Sequence, residues 1–76
     1  MTEKLIARDL KTNQIVNIGD EVISFRGEKA TLNALTRVNE MYYGGRRSGK
    51  VEVIWKDGFK SEYYDGVFNL RVERVE

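Results

Sequence analysis

Gly49-Lys50-Val51-Glu52-Val53-Ile54-Trp55-Lys56-Asp57-Gly58-Phe59-Lys60-Ser61-Glu62-Tyr63-Tyr64 decides the class of fold. Val51, Val53 and Trp55 alternate with Glu52 and Lys56, the two-residue period of a strand with one face in a core. Asp57-Gly58 has the composition of a two-residue hairpin loop, because Gly adopts positive φ freely and Asp accepts it. A second strand then runs back and ends in Tyr63-Tyr64. Neighbours in a regular strand point to opposite faces, so one of these tyrosines faces outward. The expectation is a small antiparallel β protein with Val51, Val53 and Trp55 in its core.

Upstream, Leu5–Leu10 and Ile15–Ile18 flank Lys11-Thr12-Asn13-Gln14 and read as an opening hairpin over residues 4–18. Gly19-Asp20 breaks the pattern, and Glu21 to Phe25 forms the next strand. Lys29 to Val38 admits two readings. Ala30, Leu32, Ala34 and Thr36 alternate as a strand, and Thr31 and Thr36 suit one. Leu32, Leu35 and Val38 recur every three residues, however, and an amphipathic helix over residues 29–42, capped by Gly44-Gly45, fits the same letters. The strand is preferred because it completes a contiguous meander. Asn39 to Gly49 is then a long connection, about twice the usual hairpin loop. Tyr64 to Asn69 reads as one 3-10 turn, and Leu70 to Val75 closes the chain as an alternating strand.

Seventy-six residues make one domain, 1–76, with a thin core, since chains near this length bury only about 60% of their unfolded surface. There is no cysteine and no histidine, which excludes disulfides, zinc fingers and histidine-based catalysis. No acid cluster at loop spacing suggests a metal, and no cofactor is expected. No apolar run approaches the roughly 20 residues of a membrane span, and Met1-Thr2-Glu3-Lys4 lacks a signal-peptide layout. A cytoplasmic protein without membrane contact is expected. The net charge is only +1, but residues 29–50 carry Lys29, Arg37, Arg46, Arg47 and Lys50 against Glu40 alone.

Five short strands, one long loop, a tight hairpin and a turn before the last strand describe an all-β, SH3-like barrel over residues 19–75 with an extra N-terminal hairpin. Gly19-Asp20-Glu21-Val22 resembles the start of Tudor-like and KOW-like barrels. Val51-x-Val53-x-Trp55-x-Asp57-Gly58, then Glu62-Tyr63 and Phe68-x-Leu70, looks like their third strand, hairpin and closing turn. The chain is also similar to small bacterial and phage proteins with this barrel pattern. The resemblance implies a binding role with no settled partner.

Three further motifs contain residue types that known chemistries use. Gly44 to Lys50 matches the first seven positions of a phosphate-binding P-loop, but position 51 is valine and a strand follows, so nucleotide hydrolysis is not expected. Trp55, Phe59, Tyr63 and Tyr64 supply the residue types of an aromatic cage, while the phase of Trp55 favours core packing. Asp57 and Asp65 each precede glycine and read as turn residues, and Glu62 adds no cleft, so the chain is read as non-enzymatic. The strongest candidate is the basic loop: Arg37, Arg46, Arg47 and Lys50 supply charge, and Tyr42 and Tyr43 supply stacking surface. A protein partner with an acidic patch is the leading expectation, for a monomeric accessory module of a larger machine. Nucleic acid fits the same loop, and a self-associating structural subunit is the third reading.

Overall fold

The computed structural model describes the backbone of residues 4–42 and 45–75, and their side chains except at 41, 42, 45 and 46. All regular structure among them is β, apart from one 3-10 turn before the last strand. The strands are β1 (Lys4–Asp9), β2 (Ile15–Val16), β3 (Glu21–Ile23), β4 (Lys29–Arg37), β5 (Glu40–Tyr42), β6 (Gly45–Arg47), β7 (Lys50–Ile54), β8 (Lys60–Tyr64) and β9 (Leu70–Val75). One antiparallel sheet has the order β2-β1-β9 and the other β3-β4-β7-β8, while β5 and β6 pair only with each other. The opening hairpin is built into the fold, because β1 pairs with β9 from Lys4↔Val75 to Asp9↔Leu70. Among the described residues no ladder joins the two sheets into a closed ring.

Alternation fills the space between the sheets. Val22, Ala30, Leu32, Val51 and Val53 from one sheet meet Ala7, Leu70 and Val72 from the other, with Phe68 of the 3-10 turn between them. Leu32, Val51, Val53 and Val72 are the largest side chains wholly removed from water, and each contributes on the order of 1.5–3 kcal/mol by burial. Trp55 lies just beyond β7 and is half-buried, so it rims the core rather than filling it. Its ring meets Tyr63 edge-on at 5.8 Å and Phe68 at 6.0 Å. Phe59 and Tyr64 are 71% and 56% exposed and make no ring–ring contact among the described residues, so the four aromatics do not form a cage.

Residues 29–37 form a strand, and its irregularities explain the three-residue spacing that imitates a helix. The pairing with β7 runs Leu32↔Val53, Leu35↔Val51, Arg37↔Lys50, with irregularities between Leu32 and Ala34 and between Leu35 and Arg37. Each bulge inserts one extra residue on β4, so the inward positions fall at 32, 35 and 38 instead of every second residue. Leu35 packs on the core and Val38 is buried beyond it.

The β7–β8 loop is one residue longer than its Asp-Gly composition suggests. The Gly58 N–H donates to Trp55 O at 2.9 Å and the Trp55 N–H to Phe59 O at 2.8 Å, so Lys56, Asp57 and Gly58 form a three-residue loop. Gly58 takes the left-handed position with φ +92, which completes a type I turn with a glycine bulge. The extra residue sets Val51 against Tyr63 and Val53 against Ser61. A two-residue loop would slip this register by one and turn Lys60 and Glu62 into the core.

The 3-10 turn (Asp65–Phe68) ties the layers together. Asp65 is only 3% exposed. Its Oδ2 accepts from the Val72 N–H of β9 and from Asn39 Nδ2, each at 3.1 Å. The Asp65 N–H donates to Gly49 O at 2.9 Å. Gly49 leaves room for this: a Cβ there would stand 2.5 Å from Asp65 Oδ2 and 2.9 Å from Arg37 O. Gly49→Ala is therefore expected to destabilise the protein by about 2–3 kcal/mol through overpacking against backbone and a buried carboxylate. Gly66→Ala, where nothing lies within 4 Å, is expected to stay within about 0.5 kcal/mol. Equal urea midpoints for the two variants would contradict this packing.

Candidate functional site: a basic β-ribbon and its root

The connection expected between residues 39 and 49 is not a plain loop. Glu40–Tyr42 and Gly45–Arg47 form an antiparallel ribbon with Glu40↔Arg47, Met41↔Arg46 and Tyr42↔Gly45 opposed. Both of its ends are held. On the way out, the Asn39 N–H donates to Val72 O at 2.8 Å and its side chain reaches Asp65. Next to it Glu40 Oε2 lies 3.6 Å from Arg74 Nη1 on β9. On the return, Gly49 O accepts from the Asp65 N–H. A single residue of the 3-10 turn, Asp65, thus holds both ends of the ribbon, the start through its carboxylate and the return through its main-chain N–H.

The six residues singled out from sequence divide into three groups. Arg37 and Lys50 are cross-strand neighbours at the root of the ribbon. Arg47 is exposed on β6 and makes no ion pair among the described residues. Tyr42 and Arg46 hold ribbon positions, their side chains lying outside the described ones, and Tyr43 lies outside the described residues.

Arg37 and Lys50 would repel each other if nothing stood nearby. Tyr64, placed opposite Lys50 by the β7–β8 register, offers its ring to both, with Lys50 Nζ at 5.5 Å and the Arg37 guanidinium at 5.8 Å. Such exposed cation–π contacts contribute about 0.5–1 kcal/mol each. Arg37 Nε also donates to Ser48 O at 2.7 Å, which holds the guanidinium beside the returning chain. Lys50 Nζ lies 3.6 Å from Glu62 Oε1 on the neighbouring strand. The Glu62 carboxyl is held below the ordinary carboxylate range, first by a hydrogen bond from the Thr36 hydroxyl and also by Lys50 and the charge of Arg37, against an opposing effect of desolvation.

Tyr64, Glu62 and Thr36 are the parts of this root that sequence reasoning missed. Tyr64 was readable as one of two tyrosines of which one must face out; which one depends on the extra residue in the preceding loop. Below the root opens a cleft of about 530 Å³, lined among others by Asn39, Ser48, Tyr64, Asp65 and Arg71. A smaller apolar cleft of about 270 Å³ lies across the molecule beside Phe25, Trp55, Tyr63 and Val67. Among the described residues no group of three or more carboxylates, cysteines or histidines could hold a metal ion.

No protein-family model, curated protein or solved structure gives a significant match to this chain.

A carboxyl with a lowered folded-state pKa favours the folded state above its unfolded value, and that contribution fades as pH falls through the folded value. Carboxyl NMR titration should therefore place Glu62 below the ordinary glutamate range, and Thr36→Val should move it upward. An unchanged midpoint in Thr36→Val would show that the hydroxyl is not the main cause.

Proposed function

We propose that the chain is a small SH3-like barrel that works as a non-enzymatic binding module, engaging an acidic surface of a larger protein through the β5–β6 ribbon and its root. The observation that carries this reading is the double anchoring of the ribbon on Asp65. A purely connecting segment does not need both ends clamped to one buried residue, whereas a presented element does. The order of strands, with β1 against β9 and a 3-10 turn before the last strand, supports the barrel relationship.

Charge distribution favours protein over nucleic acid. Lys50 is offset by Glu62, and Glu40 by Arg74 on the adjoining strand. With net charge +1, few cations remain for phosphate contacts, and each contact surrendered weakens a salt-dependent affinity. Arginine and tyrosine side by side are, by contrast, the residue types enriched in protein interfaces.

Arg46→Glu together with Arg47→Glu should abolish capture of the partner from a lysate of the source cells, with folding stability changed by less than about 1 kcal/mol. Unchanged capture would place the contact surface elsewhere. Tight binding of the wild type to short oligonucleotides at about 50 mM salt, where phosphate contacts are strongest, would favour nucleic acid instead.

A further inference from the structure

The free edge of the four-stranded sheet has a pattern of its own, independent of the ribbon. β8 ends the order β3-β4-β7-β8. The bonds from the Trp55 N–H to Phe59 O and from the Asp65 N–H to Gly49 O set the phase of its ladder. In an antiparallel pair, hydrogen-bonded and non-bonded positions alternate. Residues 59, 61, 63 and 65 therefore turn their backbone toward β7, and Lys60, Glu62 and Tyr64 turn theirs away from it. Lys60, Glu62 and Tyr64 are exposed; the outward backbone groups of Lys60 and Glu62 have no hydrogen-bond partner among the described residues, while Tyr64 is the N-cap of the 3-10 turn.

We propose that this edge pairs with the same edge of a second copy, antiparallel about a two-fold axis at Ser61, forming a continuous eight-stranded sheet across a homodimer. Three observations select the second copy and this register. With Ser61 on the axis, Lys60 stands opposite the partner's Glu62 and Glu62 opposite the partner's Lys60, two complementary pairs formed by symmetry. Shifting the axis to Glu62 instead sets two carboxylates face to face, which like charges resist.

Second, Glu62 already faces Glu52 across β7, an unfavourable like-charge pair within one chain. Lys60 makes no ion pair among the described residues, so the partner's Lys60 adds a second cation to Glu62, on the edge away from Lys50. Third, Phe59 is 71% exposed and absent from the core cluster. The same register lays it against the partner's Tyr63 on the inner face, an aromatic cross-strand pair. Charged residues on an edge normally deter pairing. Here they deter the registers centred on Lys60 or Glu62, which set like charges opposite each other.

Sedimentation across a wide concentration range should show a reversible dimer that weakens as salt rises. Lys60→Glu should raise its dissociation constant at least about tenfold by setting carboxylates opposite each other. Lys60→Pro, at the first residue of an edge strand where the N–H faces solvent, should give a folded monomer. Ser61→Cys reads the register itself. The chain has no other cysteine, and residues facing across a two-fold at a non-bonded position lie about 4.5 Å apart at Cα, within disulfide range. Mild oxidation should cross-link this variant, and adding Lys60→Glu should slow the reaction. A wild type that stays monomeric at the highest concentration, a Lys60→Glu dimer as tight as wild type, or a Ser61→Cys variant that does not cross-link would overturn the proposal.

Discussion

The carboxylate of Asp65 is the point through which the layers of this protein act on one another. Chain segments far apart in sequence meet there, the start of the ribbon through Asn39 and the last strand through Val72, while the end of the ribbon at Gly49 is held by the main-chain N–H of the same residue. A buried carboxylate is costly unless donors surround it, and bonds from N–H groups to an ionised oxygen are stronger than neutral ones. The arrangement is therefore selective as well as stabilising. If Asn39 or Val72 is displaced, the other is left beside an under-satisfied carboxylate. Gly49 is part of the same constraint, since any side chain there would occupy the space of the carboxylate.

This geometry links fold to surface. The ribbon itself pairs with neither sheet, so its direction is set at its root, where Arg37 and Lys50 lie over Tyr64. Glu62 serves two faces of the same region. It offsets Lys50 at the root and stands on the open edge of β8. A partner bound at the ribbon and a second copy bound at the edge would thus meet around one carboxylate, which gives the two surfaces a physical route for influencing each other.

The class of fold was legible because its largest signals are periodic. Val51 and Val53 alternate with charged or outward residues, and both are wholly buried. Leu32, Leu35 and Val38 were ambiguous for a structural reason: bulges stretch a strand's period to three, close to that of a helix turn. Composition also predicted a tight turn at Asp57-Gly58 but not its length, and one added residue decides whether Tyr63 or Tyr64 faces the core. Asp65 was read only as a turn residue. Its role depends on Asn39 and Val72, neither near it in sequence, and no local pattern announces such a contact. The same holds for the root of the ribbon: Arg37 and Lys50 were visible as cations, whereas the ring and carboxylate between them arrive from another strand.

Native-state amide hydrogen exchange tests the central role of Asp65 most directly. In Asp65→Ala, the Val72 and Asn39 amides should lose protection together, by considerably more than the Val53 amide in the middle of β7, because the clamp opens before the sheets do. If Val72 and Asn39 keep their wild-type protection relative to Val53, the carboxylate does not join these segments and the account is wrong.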